Sequence, residues 1–112
     1  MKRITCYIKP HRVEMVKSAI ATLGVSGLSV TDVRGTGNSP ESTDWLGGDP
    51  SLIALPIRSK LIMFVSDEMV ESVIASIVEN TQTGESGDGK IFVEPVENAI
   101  RIRTNERGEI AI

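Results

Sequence analysis

Over the first nine residues polar and apolar positions alternate, with Ile4, Cys6 and Ile8 on one side and Arg3, Thr5, Tyr7 and Lys9 on the other. A period of two puts these sets on opposite faces of a strand, predicted over residues 2–9. The period then changes. From Pro10, a residue suited to a helix's first turn, Val13, Val16, Ile20 and Leu23 recur at helical spacing, and Gly24 supplies the stop. A helix over about 11–23 is expected. Residues 27–34, from Gly27 through Leu28 and Ser29 to Arg34, form the second predicted strand. The third, about 58–65, contains Leu61-Ile62-Met63-Phe64-Val65, apolar on both faces. Ser66 and Asp67 are placed to cap a second helix to about residue 80. Its apolar stripe is Val70, Val73, Ile74, Ile77 and Val78, and Glu68 and Glu71 lie near the positive end of its dipole. A strand at 91–93 and a short last one at about 99–103 complete the pattern.

This order, βαββαβ, is the split pattern of a ferredoxin-like α+β fold, with two helices over one face of a four-stranded antiparallel sheet. No element remains to cover the other face, and the two-sided apolar run of the third strand calls for cover. A homo-oligomer follows as the expectation.

At 112 residues the chain is one domain, and a net charge of −3 gives no electrostatic footprint for nucleic acid. Met1-Lys2-Arg3 leads into a strand rather than an apolar leader, and no apolar run approaches the roughly 20 residues of a membrane span. One cysteine excludes an internal disulfide and suits a reducing cytoplasm, the expected location. Cys6 sits in the Ile4/Ile8 stripe and is read as a small buried hydrophobe.

The chemistry concentrates in Thr83-Gly84-Glu85-Ser86-Gly87-Asp88-Gly89-Lys90. Its glycines allow backbone N–H groups to approach an anion closely, and Lys90 adds a point charge. Gly84 to Lys90 satisfies the first part of a Walker A motif, but Ile91 stands where Ser or Thr should hold magnesium, and Ile91-Phe92-Val93 leads into a strand rather than a helix. The loop is therefore read as a phosphate cradle of another kind. Arg101 and Arg103, two apart on the last predicted strand, would lie about 6.5–7 Å apart on one face and grip neighbouring phosphates. Asp88 is the carboxylate inside the cradle, where it suits a turn-shaping role. His11, the single histidine, starts the first helix far from the cradle and is read as a surface residue.

Residues 35–57 hold four glycines, three prolines and three serines, with Glu41, Asp44 and Asp49 and no lysine or arginine. A loop this long within a compact domain implies a task. It carries the chain's one tryptophan, Trp45, beside Leu46, a pair suited to anchoring a partner surface.

Taken together, Ile8-Lys9-Pro10, the stretch from Gly24 to Gly35, the cradle with Ile91-Phe92-Val93, and Ala99-Ile100-Arg101-Ile102-Arg103-Thr104 resemble the PII family of trimeric signal-transduction regulators of nitrogen metabolism. The resemblance spans 1–112 as a single domain and aligns a T-loop with about 36–57, a B-loop with about 83–90 and a C-loop with about 101–112. It implies a homotrimer binding ATP or ADP between subunits. Gly35, Gly37, Phe64, Gly87, Asp88, Gly89 and Lys90 would line one side, with Tyr7 nearby, and Gly27, Leu28, Ser29, Arg101 and Arg103 would come from the adjacent chain. It further implies a regulator rather than an enzyme, whose T-loop, through Trp45 and Leu46, meets a target such as a membrane transporter or metabolic enzyme. Ser39 and Arg58, with Lys90, fall at the family's effector positions. Serine is a poorer replacement there for the glutamine that helps hold magnesium with 2-oxoglutarate. Ser51 stands at the position of the modified tyrosine, which removes uridylylation and leaves a hydroxyl open to phosphorylation. Two competing readings are a slow ATPase using the same cleft and a metal-responsive trimer like the CutA family. One Cys and one His make a poor soft-metal site.

Overall fold

A computed structural model describes residues 1–35 and 55–112. The expected alternation of strands and helices is present. Strand β1 (Lys2–Ile8) leads through a 3-10 turn at Pro10–Arg12 into helix α1 (Val13–Thr22). β2 (Ser29–Arg34) and β3 (Ile57–Val65) follow, then a 3-10 turn at Asp67–Met69, helix α2 (Val70–Thr81), β4 (Lys90–Pro95) and a last 3-10 turn at Gly108–Ala111. The sheet runs β2-β3-β1-β4, antiparallel throughout, with Cys6 opposite both Leu61 and Ile91. This is the ferredoxin-like arrangement.

The helix-covered face supplies the core. Ile4, Cys6 and Ile8 of β1 meet Leu61, Met63 and Val65 of β3, and Val16, Ile20, Val73 and Ile77 descend from the helices, none more than 2% exposed. Burial pushes the Cys6 thiol up to about 11, so it packs as a neutral hydrophobe. The other face is open. Register places Arg3, Thr5 and Tyr7 there, flanked by Lys60, Ile62 and Phe64 on β3 and by Lys90, Phe92 and Glu94 on β4. Phe64 and Phe92 remain 42% and 48% exposed, so the apolar run of the third strand is buried on one face only within the chain.

Three expectations need correction. Residues 99–103 are not a strand: a single bridge joins Ile100 to Arg107, and the chain turns over at 102–104. Asn105, at φ 60°, closes that turn, its N–H donating to the Arg101 carbonyl at 2.7 Å. Arg101 and Arg103 therefore do not share a strand face. The Ser66 side chain makes no capping bond, and a 3-10 turn precedes the helix. Asp67 instead pairs with the Met1 ammonium at 2.6 Å. Leu23, assigned to the first helix's buried stripe, is 39% exposed beyond the helix end.

Candidate functional site

The cradle is held from within by one carboxylate. Asp88 Oδ2 accepts the backbone N–H groups of Thr83 at 2.7 Å and Gly84 at 3.0 Å, while Oδ1 accepts the Thr83 hydroxyl at 2.6 Å. Thr83 Oγ1 in turn accepts the Glu85 N–H at 3.2 Å. These bonds close a tight loop between α2 and β4, in which Gly84, Gly87 and Gly89 take φ of 86°, 95° and 117°. Such angles strain any residue with a Cβ. At Gly89 a further constraint applies, because an added Cβ would overlap the Tyr7 carbonyl oxygen.

The Thr83 side-chain bond, followed by backbone bonds from Thr83 and Gly84 and the nearby Lys9 charge, holds the Asp88 carboxyl below its ordinary 3.8. A depressed pKa means that this support is complete above 3.8 and is lost as pH falls through the lower native value. Asp88→Asn should accelerate amide hydrogen exchange at Thr83 and Gly84 roughly tenfold at neutral pH, by weakening charge-assisted bonds. Unchanged exchange would show that the carboxylate does not hold the loop.

From the cradle the chain enters β4 with Lys90 opposite Tyr7, and Tyr7 stands opposite Lys60 on its other side. Lys60, Tyr7 and Lys90 thus form a row across three strands, the two lysine Cα atoms about 10 Å apart by strand spacing. Lys60 Nζ lies 5.9 Å from the Tyr7 ring centre, and Phe92 meets that ring edge-on at 6.1 Å. The Lys90 side chain makes no hydrogen bond or ion pair among the described residues. Lys60 was not foreseen as a site residue. Its period-two spacing from Arg58, Ile62 and Phe64 was visible, but only the register sets it beside Tyr7. A cleft of about 280 Å³ opens beside the cradle, lined by Ile8, Ile77, Val78, Ile91, Gly89 and Lys90 among others.

Other anticipated residues lie elsewhere. Phe64 is opposite Arg3 and Glu94 is opposite Arg3 from the other side, so Phe64 sits two open-face positions from the Lys90 row, about 13 Å along the strand. Gly27 and Leu28 precede β2, and Ser29 begins it opposite Ile62. Gly35 donates its N–H to the Pro56 carbonyl at 3.2 Å, which ties the two ends of the long loop together, and Arg58 follows opposite Val33. Arg101 is bound to Glu106 and Ile110, whereas Arg103 is exposed and unbonded among the described residues. No hydrogen bond or ion pair joins residues 98–112 to the cradle of the same chain. Gly37, Ser39, Trp45, Leu46 and Ser51 lie outside the described residues.

A family model described as nitrogen regulatory protein P-II matches residues 1–106. The chain belongs to the P-II family. Proteins named nitrogen regulatory protein P-II from Cereibacter sphaeroides and Haemophilus influenzae are each 43% identical over 112 residues, covering all of both chains. A P-II homolog of Arabidopsis thaliana is 44% identical over 110 residues, 97% of this chain and 56% of that protein. The P-II match includes both the cradle and the Arg101–Arg103 segment, between which the chain makes no hydrogen bond or ion pair. Among the described residues of this P-II chain no helix is long and apolar enough to cross a membrane. Nor does any group of three or more His, Cys, Asp or Glu residues among them suit a metal ion.

Proposed function

We propose that the protein is a P-II regulator that binds ATP or ADP as effector and passes its occupancy to a target protein through the loop at about 36–57. The observation that carries this reading is a preorganised cradle, closed by Asp88, whose glycine angles expose backbone to a ligand and whose Lys90 ammonium has no partner among the described residues. Phosphates suit this donor set. Arg103, also without a partner among the described residues, is suited to complete it from a neighbouring copy. The open sheet face, with Phe64 and Phe92 exposed, supports a homotrimer in which copies bury these faces against one another. Trp45 and Leu46 would contact the target, which would be a membrane transporter or metabolic enzyme. Ser39, Arg58 and Lys90 would form the second effector site, and Ser51 would be the modifiable hydroxyl.

The Gly35–Pro56 bond gives the coupling a route, because it joins the loop's two ends next to Arg58. A ligand that alters this junction shifts the loop between states that a target distinguishes by affinity. Calorimetry with ATP, ADP and AMP, each with and without magnesium plus 2-oxoglutarate, tests the reading. Saturable binding of ATP or ADP by an oligomer is expected. A monomer that ignores every adenylate at millimolar concentration would overturn it.

A further inference from the structure

The two arginines of the Arg101-Ile102-Arg103 motif are in opposite states. Arg101 Nη1 donates to Glu106 Oε1 at 3.0 Å, and Nη2 donates to the Ile110 carbonyl at 3.1 Å. Glu106 Oε1 also accepts the Thr104 hydroxyl at 2.6 Å. Backbone bonds fix the same turn, with the Arg101 N–H donating to the Glu106 carbonyl at 2.9 Å. Arg103, two residues on, has neither a hydrogen bond nor an ion pair among the described residues. A guanidinium–carboxylate bond is about twice as strong as a neutral one, so an anion recruiting Arg101 must first displace Glu106. Arg103 carries no such cost.

Resting on the proposed polyphosphate site, we infer that Glu106 is a positioning residue that competes with bound phosphate for Arg101 and so sets how many phosphates the site rewards. A monophosphate engages Lys90 and Arg103 and leaves the Arg101–Glu106 pair closed. A triphosphate brings enough charge to draw Arg101 away. That movement also frees the Ile110 carbonyl, which links ligand length to the Gly108–Ala111 turn.

The test is calorimetric titration of AMP, ATP and inorganic tripolyphosphate into the wild type, Glu106→Gln, Arg101→Ala and the double variant, with melting curves to show that each is folded. Glu106→Gln should tighten ATP and tripolyphosphate roughly five- to tenfold and leave AMP within about twofold, since only the longer anions use the released guanidinium. In the Arg101→Ala background the gain should fall within about twofold, the screened field of one lost charge. Glu106→Asp, which keeps the charge and shortens the reach, should give a smaller gain and serves if the Gln variant does not fold. Unchanged or weaker tripolyphosphate binding by Glu106→Gln, or an equal gain without Arg101, overturns the inference. If tripolyphosphate follows the pattern and no form binds ATP, the adenylate reading fails and the Glu106 inference stands. If neither anion binds any form, both fall.

Discussion

Gly89→Ala is expected to lower stability by about 2–4 kcal/mol and to abolish measurable nucleotide binding, combining left-handed strain with overpacking against fixed backbone. Two independent costs meet at this position. Its φ of 117° is one that side chains rarely adopt, and the new Cβ would overlap the Tyr7 carbonyl oxygen, with the Tyr7 carbonyl carbon at 3.1 Å. Neither neighbour is a flexible side-chain tip that could swing away. Relief requires β1 and β4 to part where Tyr7 faces Lys90, which moves the Lys90 amine and the cradle's N–H groups together. Gly84→Ala is the matched control. Gly84 shares the left-handed φ, at 86°, but a Cβ there meets nothing within 4 Å, so about 1 kcal/mol is expected. Chemical denaturation of both variants separates the angle from the overlap. Equal losses would mean that the close approach to Tyr7 costs nothing.

The same contact marks how far the sequence could be read. Hydrophobic period was enough for β1, α1, β3 and α2, because Ile4, Cys6 and Ile8 or Val73 and Ile77 reach the core only at those spacings. Glycine spacing was enough to place a tight loop between α2 and β4. What it could not reveal was why Gly89 is required, since the clash involves a residue 82 positions earlier, brought alongside by register. Lys60 was hidden for the same reason. The C-terminal error has a different origin. Ile100-Arg101-Ile102-Arg103 alternates as a strand would, yet a strand needs a partner along its length, and only Ile100 finds one. Glu106 takes the Arg101 side chain, and Asn105 tolerates the left-handed turn, so local side-chain and backbone bonds override the alternation. Asp67 was similarly drawn from the predicted cap to the nearby Met1 and Lys2 charges. At Gly89, Lys60 and Asp67 a neighbour distant in sequence decided what period could not, whereas at the C-terminus local bonds did.

Arg103→Ala should weaken ATP binding by more than about tenfold without a change in oligomeric state or melting temperature, as expected for a lost charge-assisted bond to phosphate. The separation of binding from folding rests on the side chain's surroundings. Arg103 is exposed in the turn at 102–104 and takes part in no hydrogen bond or ion pair among the described residues, so its removal leaves none of those residues unpaired. Arg101→Ala gives the contrast. It removes partners from Glu106 and the Ile110 carbonyl, so it should loosen the C-terminal turn as well as the ligand. Arg103→Lys should recover only part of the affinity, because an ammonium supplies charge without the planar fork that spans two oxygens. Calorimetry beside sedimentation and thermal melts on these three variants reads each effect separately. If Arg103→Ala binds ATP as tightly as the wild type, the unpartnered guanidinium has no place at the phosphates and the shared-site arrangement must be abandoned.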